Sequence, residues 1–260
     1  IKVEANTVSV VDADLRGFSN TETYLITSGI NNVVLSTNAS AAGINIVTGG
    51  AGVDTLNVAG MTNAVTVNTV GEADIVSVAT GVITTVNAAA SSDIVTIIST
   101  SVTGAGYFEG KTGIAVNDRV DYNGALLADN GIITALAEDV TRTDINGILT
   151  AKNFTNISTA AANETIDNFL AGTTTMAAFK VLIQTAMTAS GGSSVGLDTA
   201  LNDGSKVLVG IIDNEDSGLF LVQNTAAGGG ANTLHVSEIE LIGLIQGDMF
   251  TTAEWAALLI

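Results

Sequence analysis

The chain has 260 residues, of which 47% are hydrophobic and only 4% aromatic, so its core must be built from Val, Ile, Leu and Ala. Eight Lys and Arg against 26 Asp and Glu give a net charge of −18, which argues against nucleic acid and anionic membrane surfaces as partners. The absence of cysteine excludes disulfides, zinc–thiolate sites and thiol nucleophiles.

The start of the chain and its hydropathy predict neither an export signal nor a membrane segment. Ile1 is followed by mixed polar and acidic residues without a basic region. No window reaches the roughly 18 uninterrupted apolar residues of a membrane helix. Because the first residue is not Met, we expect the chain to be processed or excerpted, and we expect no membrane insertion.

Residues 1–103 are predicted to form a repeat-containing β domain. Apolar and polar residues alternate over short stretches such as Val65–Asn68, and Gly, Asn and Asp supply the turns in a chain with 28 Gly and no Pro. Three stretches superpose, each an acidic turn followed by an apolar strand: Gly52–Val58, Glu72–Val78 and Ser91–Ile97. Since one such unit cannot bury its own apolar face, the repeat predicts stacking into a β-roll or β-helix, with a stacked β-sandwich as the alternative.

Residues 104–260 are predicted to form a β-rich, α+β domain with one or two short helices. Apolar residues at helical spacing predict a helix at 175–187, capped by a threonine and ended by Gly191-Gly192, and a second one over 162–170. Ser205–Ile212 and Leu219–Gln223 are predicted to pair as a hairpin around an acidic turn. Further predictions are a strand at 239–245, a helical turn at 252–259, and either a helix or a strand edge at 135–140.

A calcium-binding nonapeptide is the most specific motif. Gly49–Asn57 fits G-G-x-G-x-D-x-U-x in every fixed position. The glycines allow a tight turn and offer carbonyls, and the aspartate offers a carboxylate, which together are the hard oxygens that calcium needs. The candidate metal ligands are Gly49, Gly50, Gly52, Asp54, Glu72, Asp74, Asp93, Asp213 and Asp216. The alternatives are a simple glycine turn at the nonapeptide and a solvated hairpin tip at Asp213–Gly218.

Catalytic signatures are missing, so the chain is predicted not to be an enzyme. It contains one histidine, His235, which argues against multi-histidine metal sites and a Ser-His-Asp triad. Its single tryptophan, Trp255, offers little of the aromatic surface that sugar-binding sites use. A carbohydrate-active β-helix that uses Asp74 or Asp93 is the enzymatic alternative.

The nonapeptide, the acidic β repeats, the missing cysteine and the low aromatic content resemble RTX-type proteins exported by type I secretion. The resemblance extends over residues 44–100 and 160–260, where Lys206–Val209, the acidic turn and Glu240–Gly243 are similar to the C-terminal region of large members, including bacterial surface-layer proteins. It departs from the family in lacking a tandem nonapeptide array. The family implies an extracellular location, calcium-triggered folding after export and lattice assembly.

From these features we expect a secreted, non-catalytic structural protein that self-assembles at the bacterial cell surface, as a surface-layer, extracellular-matrix or filament subunit stabilised by calcium. The expected partners are copies of itself, with cell-surface polysaccharide as a further candidate. The alternative is a C-terminal export and adhesion module of a larger RTX-type protein.

Overall fold

A computed structural model of the chain describes residues 1–4, 7–79, 81–88, 91–99, 107–112, 119–122, 140–144, 147–153, 165–188, 206–213, 216–223 and 235–246. These residues fall into two compact units, one within residues 1–123 and one within residues 124–256. The architecture is mainly β with few helices, which confirms the predicted class.

The first unit is a series of short strands that alternate between two parallel sheets. Its elements are β1 (Lys2–Val3), β2 (Thr7–Val10), β3 (Thr23–Ile26), β4 (Ile30–Val34), α1 (Thr37–Ala42), β5 (Ile46–Thr48), β6 (Asp54–Asn57), β7 (Val65–Asn68), β8 (Ile75–Ala79), β9 (Thr84–Asn87), β10 (Ile94–Ser99), β11 (Phe108–Thr112) and β12 (Arg119–Tyr122), with a 3-10 turn at Asp12–Leu15. Odd-numbered strands pair in the order β1-β3-β5-β7-β9-β11 and even-numbered strands in the order β2-β4-β6-β8-β10-β12. We call these the odd sheet and the even sheet, and we call one odd strand plus the next even strand a coil.

The core of this unit consists of columns of mainly aliphatic side chains, one from each coil. In the odd sheet the strand register aligns Tyr24, Val47, Val67 and Val86, all buried. In the even sheet it aligns Val33, Leu56, Val76 and Val95, also buried. Because neighbouring strands lie only about 4.8 Å apart, these columns accommodate Val, Ile and Leu better than a succession of large aromatic rings.

The ladders of the first unit continue past the boundary placed after residue 103 from the sequence. β11 pairs in parallel with β9, and β12 pairs in parallel with β10. The division between the two units accordingly falls at residue 123. The sequence obscured this continuation because the glycine- and acid-rich composition of residues 104–131 resembles a linker.

The second unit combines a mixed sheet with two helices. Its described elements are β13 (Val140–Asp144), β14 (Gly147–Asn153), α2 (Thr165–Leu170), α3 (Met176–Thr188), β15 (Lys206–Asp213), β16 (Asp216–Gln223) and β17 (Ile239–Ile245), with a 3-10 turn at Val236–Glu238. Three strand pairs are antiparallel, and β14 pairs with β15 in parallel.

The helix predicted at 175–187 is confirmed as α3, and the shorter one as α2. The Thr175 hydroxyl accepts a hydrogen bond from the N–H of Ala178 (3.3 Å), as a capping threonine does. The buried Phe179 stacks on Phe169 with ring centroids 4.4 Å apart, and its centroid lies 5.9 Å from that of Phe220 in β16. These ring contacts tie both helices to the sheet.

The predicted hairpin and the strand at 239–245 are also confirmed. β15 and β16 pair from Lys206 opposite Gln223 to Asp213 opposite Asp216, so both strands extend into the predicted acidic turn. His235 precedes the 3-10 turn, and its backbone N–H donates to the carboxylate of Glu238 (2.8 Å). Three predictions lie outside the described residues: the state of 135–139, the helix end at Gly191-Gly192 and the helical turn at 252–259.

Replacing Thr84 by valine is expected to stabilise the first unit. Thr84 is aligned with Val65 in the odd sheet and is buried, yet its hydroxyl finds no hydrogen-bond partner among the described residues. Thr84→Val removes this uncompensated hydroxyl without changing shape and should raise the free energy of unfolding by about 1 kcal/mol in urea denaturation. Thr85→Val, a change on the half-buried outer side of the same strand, is the control and should give no such rise.

Candidate functional site

Three of the predicted ligands come together at the same turn of successive coils. Asp54 begins β6, while Asp74 and Asp93 immediately precede β8 and β10. Their side chains point inward and are 0%, 0% and 1% exposed. We call Asp54, Asp74 and Asp93 the aspartate column.

The carboxylate of Asp54 bridges two coils. One oxygen, Oδ2, accepts the N–H of Gly50 in its own turn (2.7 Å). The other, Oδ1, accepts both the backbone N–H (3.0 Å) and the side-chain Nδ2 (2.7 Å) of Asn31 in the preceding coil. The carboxylate therefore closes its own turn and also holds the start of the preceding even strand.

Asp74 and Asp93 make the same bond to the preceding coil. The Oδ1 of Asp74 accepts the N–H of Asp54 (2.7 Å), and the Oδ1 of Asp93 accepts the N–H of Asp74 (2.9 Å). The second oxygens accept the N–H of Val70 (3.3 Å) and the hydroxyl of Thr69 (2.8 Å), respectively. The spacings of 20 and 19 residues seen in the sequence thus correspond to one aspartate per coil.

Asn31 occupies the position before Asp54 in the same column, and sequence reasoning missed it. The strand register pairs Asn31 with Asp54, and the Asn31 side chain is buried. Its Nδ2 also reaches the carbonyl oxygens of Ser28 (3.2 Å) and Gly29 (3.1 Å). An alignment of Gly29-Ile30-Asn31 with Gly52-Val53-Asp54 is the signal that could have revealed it.

The column places carboxyl groups together with no basic side chain close in sequence. Between residues 23 and 98 the chain contains no Lys or Arg. Burial raises the pKa of the Asp74 carboxyl from the ordinary 3.8 to about 7; backbone hydrogen bonds oppose this, and the charges of Asp54 and Asp93 add to it. The middle carboxyl of the column therefore holds a proton much more tightly than an exposed aspartate does.

The glycines of the nonapeptide allow close stacking of coils. A Cβ built on Gly52 would lie 2.2 Å from the carbonyl oxygen of Gly29, and one on Gly50 would lie 2.8 Å from the backbone nitrogen of Ser28. Gly49 is buried, and a Cβ built on it would lie only 3.0 Å from the carboxylate oxygen Oδ2 of Asp54. All three glycines therefore have a steric role that does not involve an ion.

The remaining predicted ligands lie elsewhere. Glu72 is exposed, and what it contributes to the next coil is its backbone carbonyl, which accepts the Ser91 hydroxyl (2.8 Å). Asp213 and Asp216 face each other across the end of the β15–β16 hairpin, in the second unit. Asp216 is 4% exposed, which does not match a solvated hairpin tip at that residue.

The aspartate column does not fit a calcium ion. Calcium requires six to eight oxygen ligands directed at one point. The carboxylate oxygens of the column instead accept N–H and O–H donors of successive coils, so they are distributed along the stack and are not directed at one shared point. Among the described residues there is no group of three or more His, Cys, Asp or Glu side chains that could hold a metal. Calcium binding by this chain stays a prediction.

A fourth aspartate, Asp12, acts as a helix cap. Its carboxylate accepts the backbone N–H groups of Ser36 (2.7 Å), Asn38 (3.0 Å) and Ala39 (3.0 Å), at the start of α1. Burial opposes ionisation, but these bonds outweigh it and lower the pKa of Asp12. The sequence gives no sign of this cap, because Asp12 and Ser36 are 24 residues apart in the chain.

From β3 to β10, the outer faces of both sheets are free of charge. Between residues 23 and 98 the chain has four charged side chains, of which three form the buried aspartate column, so Glu72 is the one exposed charge. The outward side chains of the odd sheet are Thr23, Leu25, Ile46, Thr48, Thr66, Asn68, Thr85 and Asn87. Those of the even sheet are Ile30, Asn32, Val34, Thr55, Asn57, Ile75, Ser77, Ile94, Thr96 and Ile98.

Part of the odd face is also internally hydrogen-bonded. The Nδ2 of Asn87 donates to the Oδ1 of Asn68 (2.7 Å), and the Nδ2 of Asn68 donates to the Thr48 hydroxyl (3.3 Å). Polar groups that are already paired lose less hydration when a surface is covered. This face therefore combines low charge with a low cost of desolvation.

In the part of the chain that the structure describes, no helix has the length and apolar character needed to span a membrane. Comparison of the chain with protein-family models, curated proteins and solved structures yields no match.

Proposed function

We propose that this chain is a non-catalytic structural protein that self-assembles outside the bacterial cell, as a surface-layer or filament subunit. The observation that carries the proposal is the pair of uncharged sheet faces that strands β3–β10 of the first unit present. The chain has a net charge of −18, yet residues 23–98 expose a single acid. Copies can meet at these faces without bringing like charges together.

We further propose that the first unit is a β-roll. Successive strands alternate between two parallel sheets, and each added coil pairs with the one before it in both sheets. A stack of this kind contacts only neighbouring coils, so its outer faces repeat at the strand spacing of about 4.8 Å. Regular, flat faces are suited to repeated contacts between identical subunits.

The extracellular location rests on the resemblance of Gly49–Asn57 to the nonapeptide of exported RTX-type proteins. The repeat and the low aromatic content accompany that motif, as they do in the family. The calcium-triggered folding that the family implies receives no support from the aspartate column. The proposal is therefore that assembly depends on contacts between sheet faces and needs no ion at these aspartates.

Self-assembly is tested by sedimentation and electron microscopy over increasing protein concentration, with charge added to one face at a time. Thr66→Glu places an acid on the odd face and Thr55→Glu places one on the even face. Because the same charge then appears on both meeting copies, the variant of the face that mediates assembly should raise the required protein concentration at least about tenfold.

Ala41→Glu is the matched control, because Ala41 is exposed on α1 and belongs to neither face. It adds the same charge and should leave assembly unchanged. A wild-type protein that stays monomeric over the whole concentration range would contradict the proposal. Equal effects of all three substitutions would also contradict it, since they would reflect net charge alone.

A further inference from the structure

We infer that the aspartate column joins successive coils by hydrogen bonds in place of calcium, so that the first unit folds and keeps its stability when calcium is removed. The nonapeptide at Gly49–Asn57 is then a coil-stacking motif. This inference concerns the stability of the single chain and does not depend on self-assembly.

The hydrogen-bond geometry is the first support. Each carboxylate uses one oxygen to accept a backbone N–H from the preceding coil, at 2.7 Å for Asp74 and 2.9 Å for Asp93. The other oxygen closes its own turn in Asp54 and Asp74, and accepts the Thr69 hydroxyl of the preceding coil in Asp93. A buried N–H needs an acceptor, and at the start of an even strand the aspartate supplies it. The requirement recurs once per coil, which accounts for the repeat of the acid where the glycines are lost.

The position of Asn31 is the second support. Asn31 occupies the position in the column before Asp54 and is 2% exposed. It donates hydrogen bonds to Asp54 through both its backbone N–H and its Nδ2. An amide nitrogen that donates at this point would repel a cation held between the two side chains. A neutral side chain in the column therefore fits a hydrogen-bonded stack and does not fit a row of ion ligands.

The degradation of the motif along the chain is the third support. Only the first copy has all its glycines, and Glu72 and Ser91 stand where that copy has Gly52. The bond from the aspartate Oδ1 to the backbone N–H of the preceding coil nevertheless persists in both later copies, so it does not depend on the glycines. The glycines are needed where the turn touches Ser28 and Gly29, and less so further along.

The test is a thermal melt of the wild-type chain, Asp74→Asn and Glu72→Gln, each with calcium chloride and with EGTA. Glu72 is the matched control, because it is an acid of the same turn but is exposed. We expect each protein to melt at the same temperature in both solutions. We expect Asp74→Asn to fold, since Asn31 already fits the column, and to differ from the wild type by the same amount with and without calcium.

The inference is overturned if calcium raises the wild-type melting temperature by several degrees and Asp74→Asn abolishes the rise while Glu72→Gln retains it. A rise that persists in Asp74→Asn also contradicts the calcium-independent stability, and it places the ion outside the aspartate column. If Asp74→Asn does not fold, hydrogen exchange on the wild type decides. The N–H groups of Asn31, Asp54 and Asp74 should be equally protected in calcium and in EGTA, and loss of protection in EGTA would refute the bridge.

Failure of this inference and failure of the proposed function give different results. A calcium-dependent melt affects the single chain at any concentration, whereas the assembly proposal fails if sedimentation shows a monomer or if the three charge substitutions have equal effects. Either conclusion can therefore be refuted while the other stands.

Discussion

Gly52→Ala is expected to destabilise the first unit by about 3 kcal/mol and to lower its melting temperature by about 10 °C. The added Cβ would lie 2.2 Å from the carbonyl oxygen and 2.7 Å from the carbonyl carbon of Gly29. Both distances are shorter than 3.0 Å, the minimum below which a Cβ essentially never approaches another heavy atom. Both atoms are backbone, so the clash can be relieved only by moving one coil away from the next. That movement would strain the bridge between Asp54 and Asn31.

Gly81→Ala is the matched control. A Cβ on Gly81 meets no atom within 4 Å, and Gly81 is exposed. The same chemical change should there leave the stability unaltered or raise it by about 0.5 kcal/mol, because alanine restricts the unfolded chain. The melting temperatures of the two variants and the wild type are measured by circular dichroism. Equal melting temperatures for the two variants would contradict the close stacking at Gly52.

The strands of the first unit could be predicted because their pattern is local. Val65–Asn68 alternates apolar and polar residues, and the structure buries Val65 and Val67 and turns Thr66 outward. The repeat of aspartates at 20 and 19 residues also predicted that coils stack. Both inferences need only side-chain period and spacing, which the sequence contains directly.

The helix α1 and the inward direction of the aspartates could not be predicted in the same way. Thr37–Ala42 has no apolar period, and its cap is Asp12, which is remote in sequence. An aspartate in a glycine turn is ordinarily expected to contact solvent or calcium, since burying a carboxylate costs free energy. Only the stacking of coils reveals that the N–H of Asp54 lies where it can offset that cost for Asp74.

The stability of the first unit is expected to fall as the pH rises from 4 to 7, opposite to ordinary acid denaturation. The pKa of Asp74 is about 7 in the folded chain, raised first by burial, and close to the ordinary 3.8 in the unfolded chain. Between these values the folded state binds more protons, so the free energy of unfolding decreases with pH. Below about 4 both states are protonated, and above about 7 both are ionised, so the change is confined to this window.

The size of this stability change and its control variant both follow from the Asp74 carboxyl. At about 1.4 kcal/mol for each pKa unit, the difference amounts to on the order of 4 kcal/mol. The acids nearest Asp74 are Asp54 and Asp93 in the column and the exposed Glu72, and residues 23–98 add no basic group. Urea denaturation should give a higher midpoint at pH 5 than at pH 8, and Asp74→Asn should flatten this dependence because its amide does not titrate.

Asp12→Asn is the contrasting variant. The pKa of Asp12 is lowered, since its backbone bonds outweigh burial, so its contribution is present above about 4 and is lost only as the pH falls below that value. Removing it should lower stability at pH 5 and pH 8 alike and leave the downward slope between them intact. A wild-type midpoint that is flat or rises from pH 5 to pH 8 would show that the Asp74 carboxyl is ionised at little cost, and that its burial between Asp54 and Asp93 is looser than the hydrogen bonds of the column indicate.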